Sequence, residues 1–199
     1  MDRRSVPVKR GDPETNMRRE PDDETGNLRD FVLQSLQANV PAGSRLALGL
    51  SGGRDSVVLL DALAAIAPSR GNVVTAIHVH HGLSANADSW ARFCIDRCAA
   101  MDIACVVRRV AVPVRPRESL EEQARRARYD ALADASRGLG ATVVALAHHR
   151  DDQAETLLLQ MLRGAGPHGL AAMPALRVDA TGTTWWRPLL GVPRALAAI

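Results

Sequence analysis

Leu46-Ala-Leu-Gly-Leu-Ser51-Gly-Gly-Arg-Asp55-Ser56, running on into the apolar residues 57–66, decides the fold. A short apolar run breaks at Ser-Gly-Gly, an acidic residue and a hydroxyl follow, and a helical apolar pattern begins. The reading is strand, tight loop, helix. Gly52 and Gly53 remove side chains that would hold an anion off the backbone, and a helix starting there points unpaired N–H groups at it. Ser51 and Ser56 add hydroxyl donors. No lysine follows, so the loop is not of the G-x-x-x-x-G-K-[ST] type. A second reading overlaps the first. Gly49-Leu-Ser51-Gly-Gly53 also fits G-x-S-x-G, the elbow that exposes a nucleophilic serine between a strand and a helix. Ser51 would then need an acid and a base, for which Asp151, Asp152 and His168 are candidates. That reading leaves Asp55 and Ser56 without a role.

Outward from this stretch the chain alternates. Residues 28–37 predict a short helix with Phe31, Val32 and Leu36 on one face. The first strand spans 45–50, and the helix over 54–67 is apolar on most sides until Pro68 stops it. Residues 72–80 lack polar alternation until their end, as a central parallel strand does. A helix over 86–101, a strand over 103–112, a Pro-rich loop at 113–117 and an Arg-rich helix over 118–138 follow. Then come a strand over 142–147, a helix over 151–162 whose acidic start suits its dipole, a Gly-rich loop at 164–169 and a last strand over 183–186. Strands alternating with helices imply an α/β fold, a doubly wound parallel sheet of the Rossmann-like type. Ligands of such sheets lie at the carboxyl ends of the strands, near a switch point.

Three strand ends deliver chemistry to that rim: Ser51-Gly-Gly, then His78-Val-His80-His81-Gly82, then His148-His149-Arg150-Asp151-Asp152. Histidines and aspartates together could cage a pair of divalent ions. A magnesium ion held mainly by phosphates with one or two carboxylates suits an anion loop better. For His78, His80 and His81, hydrogen-bonded structural roles compete with catalytic ones, because alternate strand residues face opposite sides.

The 199 residues are 46% apolar, enough for a core, but only 3% aromatic, so Ala, Leu and Val must build it. No stretch is long and apolar enough for a membrane helix, and no secretory h-region opens the chain. Cys94, Cys98 and Cys105 lack C-x-x-C spacing and read as buried reduced thiols of a cytoplasmic protein. The net charge of +3 comes almost wholly from arginine, Lys9 being the only lysine. Arginine suits phosphate contacts and base stacking, but this charge alone names no partner. Residues 1–27 mix both charges with Pro7, Pro13 and Pro21 and show no apolar periodicity. They read as a disordered tail, and 28–199 as one catalytic domain.

Ser51-Gly-Gly-Arg-Asp-Ser56 matches Ser-Gly-Gly-x-Asp-Ser, the pyrophosphate loop of ATP pyrophosphatases. Within that PP-loop group the chain resembles the tRNA(Ile)-lysidine synthetases from residue 28 onward. The matching segments are His78-Val-His-His-Gly-Leu83, Ser119-Leu-Glu-Glu-Gln-Ala-Arg-Arg-Ala-Arg-Tyr129, Ala147-His-His-Arg-Asp-Asp-Gln-Ala-Glu-Thr156, Leu162-Arg-Gly-Ala-Gly166, Gly169-Leu-Ala-Ala-Met173 and Arg187-Pro-Leu-Leu190. The resemblance implies an adenine nucleotide alpha hydrolase type of fold and an ATP-dependent carbon–nitrogen ligase. ATP would adenylate O2 of the wobble cytidine of tRNA(Ile) with a CAU anticodon, and the ε-amine of free L-lysine would then attack C2 and expel AMP.

On that footing Ser51, Gly52, Gly53, Arg54, Asp55 and Ser56 hold the ATP phosphates, and Asp55 coordinates Mg²⁺. Asp152 and Glu155, three apart on one helix face, capture the lysine ammonium, and one of them can take its proton. His148 supports charge or proton transfer nearby. Arg125 stabilises developing phosphate charge, and Arg128 and Arg163 hold RNA, the competing readings being a solvated helix face and a helix C-terminal cap. His80 stands where the family usually has Asp, and Arg150 where a small residue is common. The family usually continues past Arg187-Pro-Leu-Leu into domains that grip tRNA, so the chain is expected to be the catalytic domain without them.

Overall fold

The computed structural model describes residues 21–112, 119–162, 164 and 172–193. Helix α1 (Pro21–Asn39) leads into β1 (Arg45–Gly49), α2 (Arg54–Ile66), β2 (Val73–His80), α3 (Ala87–Ala99) and β3 (Ala104–Arg109). Then follow α4 (Leu120–Gly138), β4 (Val143–Ala145), α5 (Arg150–Leu162), β5 (Leu176–Val178) and β6 (Thr184–Trp186). The strand order is β3-β2-β1-β4-β6-β5. Every pairing is parallel except β5 with β6. The expected doubly wound sheet is present, with its switch point between β1 and β4. After β1 the chain winds outward through β2 and β3, and α4 brings it back to the other side of β1.

Alternation along the strands sorts the core into two layers. Leu46 and Leu48 of β1, Val143 and Ala145 of β4 and Trp186 of β6 pack with α1, α2 and α3. Ala47, Val144 and Trp185 face the other way, against Ala131, Leu132 and Ala135 of α4. The two adjacent tryptophans thus anchor opposite faces, each 1% exposed. Trp186 Nε1 donates to Ser35 Oγ at 3.1 Å, tying α1 to the sheet. Arg97 of α3 donates to both carboxylate oxygens of Asp61 on α2 at 2.9 and 2.7 Å. No described helix is long and apolar enough to cross a membrane.

Two expectations need correction. The sequence reads as a disordered tail to residue 27, but residues 21–27 form the opening turns of α1. Residues 1–20 lie outside the described residues. The strand β5 was not foreseen. It is three residues long, exposed throughout and carries Arg177 at its centre, so no apolar alternation announced it. It forms because Asp179 closes a turn back into β6. That carboxylate accepts from Thr181 N, Thr181 Oγ1 and Thr183 N at 2.6–3.0 Å, and from Trp185 Nε1 at 2.8 Å. These donors hold the Asp179 carboxyl down to a pKa of about 2, the Thr181 side chain contributing most.

Candidate functional site

The loop after β1 is shaped to receive an anion. Gly52 has a φ of +85°, a left-handed conformation that side chains rarely adopt, and a Cβ there would stand 3.3 Å from Cys94 Sγ. Gly53 is extended and heads α2 with no side-chain cap, so the first N–H groups of α2 point outward without a capping acceptor. Ser51 and Ser56 brace the loop from within. Their hydroxyls are 3.1 Å apart, Gly53 N donates to Ser51 Oγ at 3.2 Å, and Ser56 Oγ donates to Gly53 O at 2.8 Å. Before the loop, β1 lies so close to its neighbour that a Cβ on Gly49 would stand 2.9 Å from Leu146 Cδ2.

A cavity of about 470 Å³ opens beside this loop, over the carboxyl ends of β1, β2 and β4. Its wall includes Ser51, Gly53, Asp55, Ser56, Arg128 and His148, together with His78 and His80 of β2 and His81 just after it. His78 and His80 share one strand face, and both are buried. His78 Nδ1–H donates to Leu50 O at 2.8 Å, so this ring braces β1 against β2. Burial pushes its pKa down. His80 Nε2 lies 3.1 Å from Asp88 Oδ1, and Arg109 donates to the same oxygen at 2.7 Å. The Arg109 hydrogen bond holds the Asp88 carboxyl below its ordinary range. Burial also lowers His81, with Arg128 adding to the effect. Cys94 Sγ packs behind the loop, 3.4 Å from His78 Nδ1. Burial pushes Cys94 up to about 11 and Cys98 up to about 12, so both stay protonated and inert.

His149 joins the loop to α5, a role the sequence reading did not assign. Its ring is 6% exposed, with Nε2 3.5 Å from Asp55 Oδ2 and Nδ1 3.5 Å from Asp152 Oδ2. Asp152 closes a reciprocal cap. His149 N donates to Asp152 Oδ2 at 2.8 Å, and Asp152 N reaches His149 Nδ1 at 3.4 Å. With Nδ1 accepting, Nε2 carries the hydrogen toward Asp55. The three-residue spacing from His149 to Asp152 at a helix start is the sequence signal for this link.

Asp55 is the residue around which the site turns. Its Oδ1 is buried and accepts no hydrogen bond, the nearest cation being Arg54 Nε at 3.8 Å. A buried carboxylate oxygen without a donor is costly unless a cation completes it. The donor chemistry therefore fits a hard divalent ion such as Mg²⁺. Among the described residues no group of three or more His, Cys, Asp or Glu is placed to share one ion. Phosphate oxygens would have to supply most of such an ion's shell.

The remaining expected site residues divide. Ser51, Gly53, Asp55 and Ser56 line the cavity with Arg128 and His148. His148 is driven down to a pKa of about 4, chiefly by burial, with Arg187, Arg128 and Arg125 adding positive charge against it. It is neutral at pH 7, and its buried Nδ1 has no partner. Arg125 instead lines a second cavity, with its guanidinium 5.7 Å above the Tyr129 ring. Arg54 and Glu155 are exposed, and Asp152 sits at the cap just described. Arg163 and His168 lie outside the described residues. Ser51 Oγ has serine and backbone partners rather than an imidazole, so the elbow reading gains no base among the described residues.

A model of the PP-loop domain matches residues 28–197. The chain belongs to the PP-loop family. PP-loop enzymes use ATP, and the loop described above is the part that names them. The chain is 44% identical over 171 residues to a tRNA(Ile)-lysidine synthase of Nitrosomonas europaea, covering 85% of this chain and 36% of that one. It is 50% identical to the enzyme of the same name from Chromobacterium violaceum, over 74% of this chain and 33% of that one. With the Xanthomonas campestris enzyme of that name it shares 54% identity, again over 33% of the relative. The chain thus spans about a third of the length of these relatives. Among solved PP-loop structures, a U34-tRNA thiolase from Methanococcus maripaludis superposes with a TM-score of 0.76 at 18% identity, over 89% of this chain and 63% of that one. An NH3-dependent NAD synthetase from Campylobacter jejuni gives 0.56 at 16%, over 89% and 70%. These likenesses show the fold.

Proposed function

We propose that residues 28–199 form the catalytic domain of a tRNA(Ile)-lysidine synthase. ATP would adenylate the C2 oxygen of the wobble cytidine of tRNA(Ile) with a CAU anticodon. Free L-lysine would then displace AMP to give lysidine. The observation that carries the reading is the juxtaposition at the β1–β4 switch point. A PP-loop carboxylate with an orphaned buried oxygen is linked through His149 to Asp152 at the start of α5. The relatives at 44–54% identity all bear that enzyme's name.

Each group has work that follows from its surroundings. Gly52, Gly53 and the free N–H groups of α2 hold phosphate oxygens, with Ser51 and Ser56 keeping the loop in shape. Asp55 Oδ1 would hold Mg²⁺, which when bound offsets the charge of the departing pyrophosphate. His149 holds Asp55 in place and keeps the two ends of the site in register. Asp152 and Glu155 on α5 supply negative charge for a lysine ammonium, and the attacking amine must lose a proton before it bonds to C2. One of these carboxylates can take that proton, and His148, held neutral by burial, adds no positive charge against the ammonium. Arg128, lowered from its ordinary value by burial yet still a cation, faces the negative charge that develops on the nucleotide.

The test is pyrophosphate release from ATP with an unmodified tRNA(Ile) CAU transcript, with and without free lysine. RNA-dependent release and entry of labelled lysine into the RNA support the reading. Release without lysine entering the RNA would move the chain to another base-adenylating activity. Glu155→Gln is expected to raise the KM for lysine about tenfold, as loss of one charged contact does, with little change in the KM for ATP.

A further inference from the structure

The second cavity, about 410 Å³, lies between α4 and the β5–β6 hairpin and has no task in the reaction above. Arg125, Arg126, Arg177 and Arg187 line it against Glu122 and Asp130. Arg126 donates to Glu122 at 2.8 Å, which leaves the cavity with surplus positive charge. Arg187 is 5% exposed. Its NH1 donates to Pro174 O at 3.0 Å, but its buried Nε has no acceptor. The Tyr129 hydroxyl is likewise buried without a partner. Its ring packs on Trp185 at 4.7 Å, with Arg125 above it.

A guanidinium N–H and a phenol O–H left unpaired in a buried wall cost free energy until an acceptor arrives. Surplus arginine charge makes an anion the fitting acceptor, and guanidinium geometry matches phosphate oxygens. Tyr129, Met173 and Pro174 add apolar surface suited to a sugar beside that phosphate. Arg125 and Arg128, three apart on α4, face the second and first cavities respectively. The charges of Arg187, Arg125 and Arg128 all reach His148, so the two cavities lie within one short reach of each other. We propose that the second cavity seats a phosphodiester of the RNA strand flanking the base under modification, with Arg187 and Tyr129 as donors and Arg125 and Arg177 supplying charge. The inference rests on the reading that RNA is the substrate.

The test measures binding of a fluorescein-labelled anticodon stem-loop of tRNA(Ile) CAU by anisotropy across a salt series, in the absence of ATP and lysine. Arg177→Ala, an exposed change that does not threaten folding, and Arg187→Lys, which keeps the charge but loses the fork, are compared with wild type. Arg29→Ala, exposed on α1, removes the same charge elsewhere. Arg177→Ala should weaken binding about tenfold and lower the salt slope by about 0.7, the value for one single-strand phosphate contact. Arg187→Lys should weaken binding with the slope kept, and Arg29→Ala should do little. Unchanged RNA affinity in both cavity variants would overturn the proposal, as would an effect confined to the KM for lysine or a wild-type chain that does not bind the RNA. Labelled-lysine incorporation measured in parallel separates the two readings. Lysine entering the RNA with cavity variants that bind normally sinks the cavity and leaves the function. RNA binding that depends on Arg177 without lysine incorporation does the reverse.

Discussion

The rim of the first cavity and the hairpin beside the second belong to one sheet but are specified in different ways. The rim is built at the ends of parallel strands, where a few adjacent residues set both the turn and the donors. Ser51 to Ser56 make their own loop hydrogen bonds, and the β1–α2 junction needs little from afar. The hairpin depends on Asp179 gathering four donors and on Trp185 meeting Tyr129 of α4 across the sheet face. Its cavity exists only because α4 and β5 come together. A site made of local turns tolerates distant change. A site made between elements should fail when either element shifts.

The largest expected effect breaks the rim. Asp55→Asn keeps the size of the side chain but removes the charge that would hold Mg²⁺ and meet His149. Pyrophosphate release should fall roughly 10²–10³-fold, the range seen when one group stabilising developing charge is lost, with circular dichroism unchanged. Retention of full activity would remove Asp55 from the chemistry. Gly52→Ala comes next. A left-handed φ with a Cβ against Cys94 Sγ carries strain of roughly 1–3 kcal/mol. ATP affinity by calorimetry should drop about tenfold or more, while the second cavity's RNA binding stays intact. Parallel loss of both would show that the two regions are not independent.

His148 sharpens the comparison by pH. Its folded pKa of about 4 lies below the ordinary 6.5, so the neutral form is favoured in the fold. Between those values the unfolded chain takes up a proton that the folded chain refuses, and stability falls as pH drops from about 6.5 to about 4. Any acid limb of pyrophosphate release that His148→Asn abolishes should therefore lie near pH 4. A limb near 6.5 that vanishes in that variant would contradict the buried, cation-flanked setting. The smallest effect is Asp179→Asn. It should lower the Tm by about 2–4 °C and weaken RNA binding without touching ATP affinity. The Asp179 carboxyl is depressed to about 2, so its contribution is present above about pH 4 and lost as pH falls toward 2.

Local patterns made the rim legible. Ser-Gly-Gly-Arg-Asp-Ser between an apolar strand and an apolar helix announces an anion loop, and strand–helix alternation announces the switch point that gathers His78, His148 and Asp152. His149 was visible as a residue but not as a link, because its two carboxylate partners come from different helices. The start of α1 at Pro21 was not legible, because polar, proline-bearing sequence without apolar periodicity reads as tail. Arg125 was expected beside the nucleotide. The turn of α4 puts it over Tyr129 and leaves Arg128 to face the first cavity.

By itself the sequence determined the sheet's class, the loop and its phosphate chemistry, because these depend on backbone freedom at glycines and on periodicities carried by neighbouring residues. Only the tertiary structure decided that Asp55 Oδ1 is buried without a donor, that His149 bridges two helix starts, and that Arg187 and Tyr129 share an unpaired wall. Those properties are sums over distant segments, where burial removes water and leaves each polar atom to whatever partner the fold places within reach.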